Sequence, residues 1–278
     1  MVVEHGGARV RHRLARVSTL LMALALGACA SAPRTPPTGT PDPDKFLYER
    51  GTEALNDKKW LTAREYFRQL MDTYPQSPHR GDAKLGMGDT FLGERTTEAY
   101  VLAANEFREF LSFFPTHPRA DYAQYKLGMT YFYQMRSADR DQTETKEAIK
   151  ELSTFVERFQ NSPLAPEARE RLREARDRLA EHEYRVGLHY YRIRWYPGAI
   201  DRWTVLLKQD PQYSRRDAVL YHLADALVKM QRPAEALPYL DRLVAEFEQS
   251  EYLDLARKRA EELKSAMNKT KGSVTDVR

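Results

Sequence analysis

Cysteine is almost absent from this sequence: Cys29 is the single one among 278 residues. A lone thiol cannot close an internal disulfide, so no disulfide framework is expected. Paired cysteines, HExxH, the P-loop and G-x-S-x-G are absent as well, and the seven histidines are scattered. Zinc sites, phosphate cradles and activated serines rely on those motifs. We therefore expect no enzyme activity, no metal site and no cofactor.

Most of the chain has little net charge of either sign. The formal net charge is +4, but residues 1–28 hold Arg9, Arg11, Arg13 and Arg16 against Glu4. The remainder is therefore close to neutral. Nucleic-acid binding depends on a net or clustered positive field, so no nucleic-acid partner is expected.

No apolar run reaches the length of about 20 residues that a membrane-spanning helix needs. The run at 20–26 (LLMALAL) follows the arginines and precedes Gly27-Ala28-Cys29, an order that predicts a secretory signal peptide over 1–28. Leu26-Gly27-Ala28-Cys29 resembles the lipobox of bacterial lipoproteins, in which the cysteine is acylated. The alternative is an ordinary secretory signal with an incidental cysteine. In lipoproteins a serine such as Ser31 after the cysteine implies sorting to the outer membrane.

A proline-rich linker is predicted over 29–43, which includes the acylated cysteine and five prolines. Such a segment stays extended, at about 3.1 Å per residue, and would hold a domain up to roughly 40 Å from a membrane.

One apolar pattern recurs five times further on. An alanine is followed at offsets 4, 7, 8 and 11 by mostly aromatic or aliphatic residues, which places all five on one helix face. The copies begin at Ala63, Ala103, Ala148, Ala199 and Ala236. Upstream of each patterned helix lies another helix, the first of the pair, which is marked by a small residue: Gly51, Gly86, Gly128, Gly187 and Ala224.

These helix pairs resemble the tetratricopeptide repeat (TPR), a helix–turn–helix unit of about 34 residues. We predict an all-α, TPR-like solenoid of five helical hairpins that forms a right-handed superhelix. Repeats 1–3 are expected over 44–160, repeats 4–5 over 161–267, and a polar tail over 268–278. A helical bundle without repeats is the alternative, and five aligned copies disfavour it.

A stripe of aromatic residues is predicted on the concave side, which the first helices line. Tyrosine combines a flat apolar ring with a hydroxyl and suits the binding of extended peptides. The alternative is that these rings only pack between hairpins. The candidate groove residues are Tyr48, Tyr122, Tyr125, Phe132, Tyr133, Tyr184, Tyr191 and Tyr221.

A more specific resemblance lies in the stretch FPTHPRADYAQYKLGMTYFY at 114–133, the DRD loop at 139–141 and Phe159-Gln160-Asn161-Ser162-Pro163. This order of motifs resembles the BamD (ComL) family of outer-membrane protein assembly lipoproteins. The resemblance implies a lipid-anchored protein at the periplasmic face of the outer membrane. It also implies docking on the periplasmic POTRA region of BamA and reception of C-terminal segments of unfolded outer-membrane proteins. Arg202 matches the family's arginine that contacts BamA.

Two other functions remain open for a protein of this architecture. One is a TPR pilotin lipoprotein that guides a secretin to the outer membrane. The other is an adaptor that recruits or regulates cell-wall hydrolases.

Overall fold

The computed structural model describes residues 35–275, and every regular element in that range is an α-helix. This confirms the predicted all-α fold. The helices are α1 (Pro43–Asn56), α2 (Trp60–Thr73), α3 (Arg80–Glu94), α4 (Thr97–Phe113), α5 (Ala120–Phe132), α6 (Thr143–Arg158), α7 (Ala165–Arg192), α8 (Tyr196–Gln209), α9 (Arg216–Lys229), α10 (Pro233–Glu246) and α11 (Leu253–Thr275). The last helix ends inside the segment predicted as a polar tail.

The chain divides into two compact units, with the boundary between Gly86 and Met87 inside α3. In the first unit α1 packs against α2. In the second unit each helix from α4 to α11 packs against the next one along the chain. Helices that contact their sequence neighbours are the expected result of stacked hairpins.

The second helices of the hairpins carry the repeated apolar pattern at their buried faces. The residues at offsets 0, 4 and 7 are at most 3% exposed in all five copies. Those at offsets 8 and 11 are half-buried. The fully buried set is Ala63, Phe67, Leu70, Ala103, Phe107, Phe110, Ala148, Leu152, Phe155, Ala199, Trp203, Leu206, Ala236, Leu240 and Leu243.

The small residues of the first helices make room for large side chains of the second helices. A Cβ added at Gly51 would lie 2.6 Å from the Phe67 ring, and one at Gly187 would lie 2.2 Å from Trp203 Nε1. In these two hairpins the ring at offset 4 of the second helix fills the space that the missing Cβ leaves.

The turns between hairpins are closed by a recurring serine–aspartate hydrogen bond. Ser162 Oγ donates to Asp121 at 2.6 Å and accepts a hydrogen bond from the Leu164 backbone N–H. Ser77 with Asp44 and Ser250 with Asp217 repeat the arrangement. Each aspartate lies in the first turn of a first helix, so the bond ties the following turn to the start of that helix.

Helix α7 has 28 residues, twice the length of α8, and serves two neighbours. It packs against α6 and against α8. His182 Nδ1 lies 2.7 Å from the Ala138 carbonyl of the α5–α6 loop. Tyr213, in the α8–α9 turn, donates its hydroxyl to Glu181 at 2.5 Å. The middle of α7 therefore contacts both the α5–α6 loop and the α8–α9 turn.

Candidate peptide groove and docking surface

The candidate groove residue of the first unit, Tyr48, packs within its own hairpin and the turn that follows. It is half-buried, and its ring stacks on His79 with 4.9 Å between centroids. A second ring, Phe67, lies 6.4 Å away. Tyr48 thus contacts both α2 and the turn before α3.

Tyr122 on α5 takes part in a charged network with α3. Its hydroxyl donates to both carboxylate oxygens of Asp89 at 2.9 Å, and the Arg119 guanidinium lies 4.5 Å from the ring centroid. Lys126 Nζ is 3.9 Å from Asp89. Burial raises the pKa of Asp89, while the Lys126 charge opposes that rise. Burial and the adjacent Asp89 raise the pKa of Tyr122.

The neighbouring aromatic residues of α5 differ in exposure. Tyr125 is 6% exposed and meets Phe155 edge to face at 5.9 Å. Burial raises the pKa of Tyr125, and its hydrogen bond with Glu167 raises it further. Phe132 is half-buried beneath the guanidinium of Arg171, which is 5.5 Å from the ring. Tyr125 is therefore a core residue, whereas Tyr133 at the end of α5 is 55% exposed.

A cleft of about 410 Å³ lies beside Tyr133. Tyr100 of α4 stacks on Tyr133 with ring centroids 6.3 Å apart. Lys126 and Arg95 line the same cleft together with Leu92 and Gly93. The arrangement places two aromatic rings and two cationic side chains around one opening, which suits a ligand that carries both an aromatic ring and a carboxylate.

In the last two hairpins the candidate tyrosines surround His222. Tyr184 is 2% exposed, while Tyr191 and Tyr221 are half-buried. The rings of these three tyrosines, Trp203 and Tyr252 all lie within 6.0 Å of the His222 ring. The His222 Nδ1 is 2.8 Å from the Ala218 carbonyl. Burial lowers the pKa of His222.

Tyr191 links this aromatic cluster to an ion pair on α9. Its hydroxyl donates to Asp225, and Lys229 Nζ lies 2.8 Å from the same carboxylate. Burial opposes ionisation of Asp225, but the hydrogen bonds from Lys229 and Tyr191 prevail and lower its pKa. The Tyr191 hydroxyl is thus committed to a hydrogen bond within the fold.

Arg202 lies on the exposed side of α8 and has a partner within the protein. Its guanidinium donates to Glu183 of α7 at 2.8 Å, and the side chain is 47% exposed.

The predicted lipidation site, Cys29, lies outside the described residues. Within residues 35–275 no helix is long and apolar enough to cross a bilayer, and no cluster of three potential metal ligands occurs.

Comparison with known proteins assigns the family. Residues 41–236, more than half of the chain, match the YfiO family, which is described as an outer membrane lipoprotein. The chain belongs to the YfiO family. This confirms the family resemblance carried by the motifs at 114–133 and 159–163.

Curated relatives of this YfiO-family protein are named outer membrane protein assembly factor BamD. The Caulobacter vibrioides protein is 28% identical over 158 residues, which cover 56% of this chain and 50% of the relative. The Neisseria gonorrhoeae protein is 27% identical over 173 residues (55% and 61%), and the Vibrio cholerae protein is 28% identical over 166 residues (56% and 66%). The chain thus spans half to two thirds of the length of these relatives.

Solved structures also align with this YfiO-family protein. A crystal structure of MamA aligns over 76% of the chain and 98% of MamA, with 15% identity and a TM-score of 0.34. The TPR2AB domain of yeast Sti1, in its complex with pHSP90, aligns over 80% of the chain and 98% of that structure, with 13% identity and a TM-score of 0.38.

The sequence pattern missed three residues that complete the cleft of this YfiO-family protein. Tyr100 belongs to a second helix, whereas the aromatic stripe predicted from the sequence lies on first helices. Arg95 occupies the turn between α3 and α4. Lys126 follows Tyr122 by four residues and therefore shares its helix face, a signal that the sequence did contain.

Proposed function

We propose that this protein is a non-catalytic, lipid-anchored subunit of a β-barrel assembly machinery at the periplasmic face of the outer membrane. In this role it docks on the BamA periplasmic region and receives C-terminal segments of unfolded outer-membrane proteins. Family membership supports the location, and the names of the relatives support the assembly role. Acylation of Cys29 with two or more chains would give a stable anchor, because each buried methylene contributes about 0.8 kcal/mol.

The observation that carries the receptor function is the cleft beside Tyr100 and Tyr133. The two stacked rings offer an apolar surface for an aromatic side chain, and Tyr133 is 55% exposed. Lys126 and Arg95 offer positive charge to the terminal carboxylate of a peptide. A terminal carboxylate next to an aromatic residue matches both features, which favours recognition of a peptide end over an internal segment.

The other tyrosines take different roles in this proposal. Tyr122 holds Asp89, and this carboxylate lies close to Lys126 at the edge of the cleft. Phe132 lies next to Tyr133 in an edge-to-face contact, with centroids 6.2 Å apart. Tyr48, Tyr125 and Tyr184 support the helix packing, and Tyr191 and Tyr221 belong to the cluster around His222.

A peptide-binding experiment tests the receptor function. The probe is a fluorescent 12-residue peptide with a C-terminal phenylalanine, compared with the same peptide carrying a C-terminal amide. We expect the free carboxylate to bind about tenfold more tightly, since one charge-assisted contact contributes on the order of 1.4 kcal/mol. Tyr133→Ala and Lys126→Gln should each weaken binding of the free acid.

The matched control for Tyr133→Ala is Phe113→Ala, because Phe113 is 70% exposed on α4 and does not line the cleft. Equal affinity for the acid and the amide, with no effect of either cleft variant, would contradict the receptor function.

The docking function predicts co-purification from solubilised outer membranes. The wild-type chain should recover BamA, and Arg202→Glu should recover less BamA with unchanged helix content by circular dichroism. Unchanged recovery would remove Arg202 from the interface. Recovery of a secretin or a cell-wall hydrolase in place of BamA would support one of the alternative functions.

A further inference from the structure

An exposed seam runs between the antiparallel helices α7 and α8. We define the α7–α8 seam by Glu183 and Tyr190 on α7 and by Trp195, Arg202 and Val205 at and along α8. Tyr190 and Trp195 meet edge to face with centroids 4.8 Å apart, and Glu183 pairs with Arg202. Along each helix, seven residues separate the aromatic pair from the ion pair, which is about 10 Å at 1.5 Å per residue.

The Trp195 ring lies along the same stripe of α8 as Arg202. A Cβ added at Gly198 would be 2.6 Å from that ring, so the indole covers the Gly198 backbone. Arg202 follows Gly198 by four residues and Val205 by seven, which places them on one helix face. An apolar anchor, an arginine and an aliphatic residue therefore form one continuous line.

The α7–α8 seam has the composition of a protein–protein interface. Trp195 is 54% exposed and Val205 48% exposed, and Ile193 in the adjoining turn is 59% exposed. Tryptophan and arginine are enriched among the residues that dominate the energetics of such interfaces, and clustered exposed apolar side chains mark interaction sites. These exposures indicate a surface that another macromolecule covers.

The charges of the α7–α8 seam favour an acidic occupant. Arg192 and Arg194 flank Ile193 in the turn, and Arg202 lies at the centre of the stripe. Glu183 pairs with Arg202, and the exposed Asp201 is within electrostatic range of Arg232 of the next hairpin, so three arginines face two carboxylates here. Glu183 therefore holds Arg202 in the way that a carboxylate of a docked partner would.

We propose that the α7–α8 seam binds an acidic face of the BamA periplasmic region, with Trp195 as the apolar anchor, and that Arg202 exchanges Glu183 for a partner carboxylate on docking. This inference rests on the proposed docking function and extends it in two respects. It adds Trp195 to the interface, and it makes Glu183 an internal competitor that weakens docking.

The inference makes a distinctive prediction for the removal of Glu183, the internal competitor for Arg202. An exposed ion pair contributes up to about 1 kcal/mol, so Glu183→Gln should tighten binding to the purified BamA periplasmic region by up to about fivefold. Trp195→Ala should weaken binding at least tenfold. The exchange Glu183→Arg with Arg202→Glu preserves an internal pair and should still abolish binding.

Matched controls lie on α11, away from the seam. Leu255→Ala removes an apolar side chain that is 53% exposed, and Arg257→Glu reverses a charge that is 54% exposed. Both should leave the affinity within twofold of wild type. Circular dichroism verifies that every variant remains folded.

Photo-crosslinking in intact outer membranes separates this inference from the docking function itself. A crosslinker at position 195 should capture BamA, whereas one at position 255 should not. If BamA co-purifies with the wild-type chain but position 195 gives no BamA crosslink, the docking function stands and the seam inference is overturned. If BamA does not co-purify, both are overturned. Crosslinks from position 195 to lipid or to other proteins alone also overturn the inference, as does an unchanged affinity of Trp195→Ala and Glu183→Gln.

Discussion

At the residue scale, four non-glycine residues of the described range 35–275 adopt a left-handed backbone conformation that usually favours glycine. Lys58, Arg95, Arg194 and Gln231 have φ between 58° and 63°, and each lies in the turn between the two helices of a hairpin. Three of the four are basic. A cation next to a helix C-terminus is stabilised by the helix dipole, which offsets part of the conformational cost.

Gln231 has no charge to offset that cost, so Gln231→Gly should stabilise the protein. We expect an increase of up to about 1 kcal/mol in the free energy of unfolding, because glycine tolerates positive φ. Urea denaturation measures the change. Gln69→Gly, in the interior of α2, is the control and should destabilise by about 1 kcal/mol. Equal destabilisation by both substitutions would contradict the explanation.

The lowered pKa of His222 should make the stability of the protein depend on pH. Its pKa is lowered in the folded protein by burial among Tyr184, Tyr191, Tyr221, Tyr252 and Trp203, and nearby charges are Arg215, Asp225 and Glu251. The unfolded chain therefore binds a proton more readily than the folded chain. The stabilising contribution is present above the unfolded pKa of about 6.5 and is lost as the pH falls below it.

The measurement is the free energy of unfolding between pH 7.5 and 5.5 for wild type and His222→Gln. The wild type should lose stability toward pH 5.5 with a slope of at most about 1.4 kcal/mol per pH unit, and the variant should lose less. This window lies above the titration of most carboxylates. Parallel curves would show that His222 does not contribute.

At the scale of elements, the close contact between α7 and α8 depends on Gly187. Its Cα faces the Trp203 indole, whose Nε1 donates to the Tyr184 carbonyl at 3.2 Å. Gly187→Ala should destabilise the protein by about 2 kcal/mol, because the added methyl group displaces a buried ring. Thermal or urea unfolding checks this value. Arg169→Ala, on the exposed face of the same helix, should change stability by less than about 0.5 kcal/mol.

A double variant isolates the steric cause. Trp203→Phe shortens the ring that meets the new methyl group, so Gly187→Ala with Trp203→Phe should be at least about 1 kcal/mol more stable than the sum of the single effects. Additive effects would indicate that Gly187 matters for another reason.

The second helices could be predicted well from sequence because each buries the same three positions of its pattern. The offsets 0, 4 and 7 therefore appear directly as apolar spacing. The buried positions of the first helices were harder to predict from the sequence. Tyr125 and Tyr184 occupy equivalent positions to Tyr48 and Tyr221 but are buried, because the packing partner of each tyrosine differs and sequence spacing does not specify it.

The cleft itself could not be predicted in full, since Tyr100 near the start of α4 and Tyr133 at the end of α5 are separated in sequence by both helices and the turn between them. The packing of α7 against both α6 and α8 could not be predicted from the sequence either. Its 28 residues contain no proline beyond the first turn, so no helix-breaking residue divides the half that contacts α6 from the half that contacts α8.

At the scale of the whole molecule, the sequence combines a predicted membrane anchor with hairpins that are close to neutral in charge. The cleft at Tyr100 and Tyr133 and the α7–α8 seam both belong to the second unit and use different helices. These two proposed binding surfaces would let the protein hold a client beside the barrel subunit and raise its local concentration.

Reconstitution of the assembly reaction is the decisive test of the proposed function. Liposomes that contain BamA from the same organism are supplied with an unfolded β-barrel protein, with and without the lipidated chain, and folding is followed by protease resistance. We expect the chain to raise the folding rate several-fold and Arg202→Glu to remove most of the increase. Identical folding rates with and without the wild-type chain would contradict the proposed function.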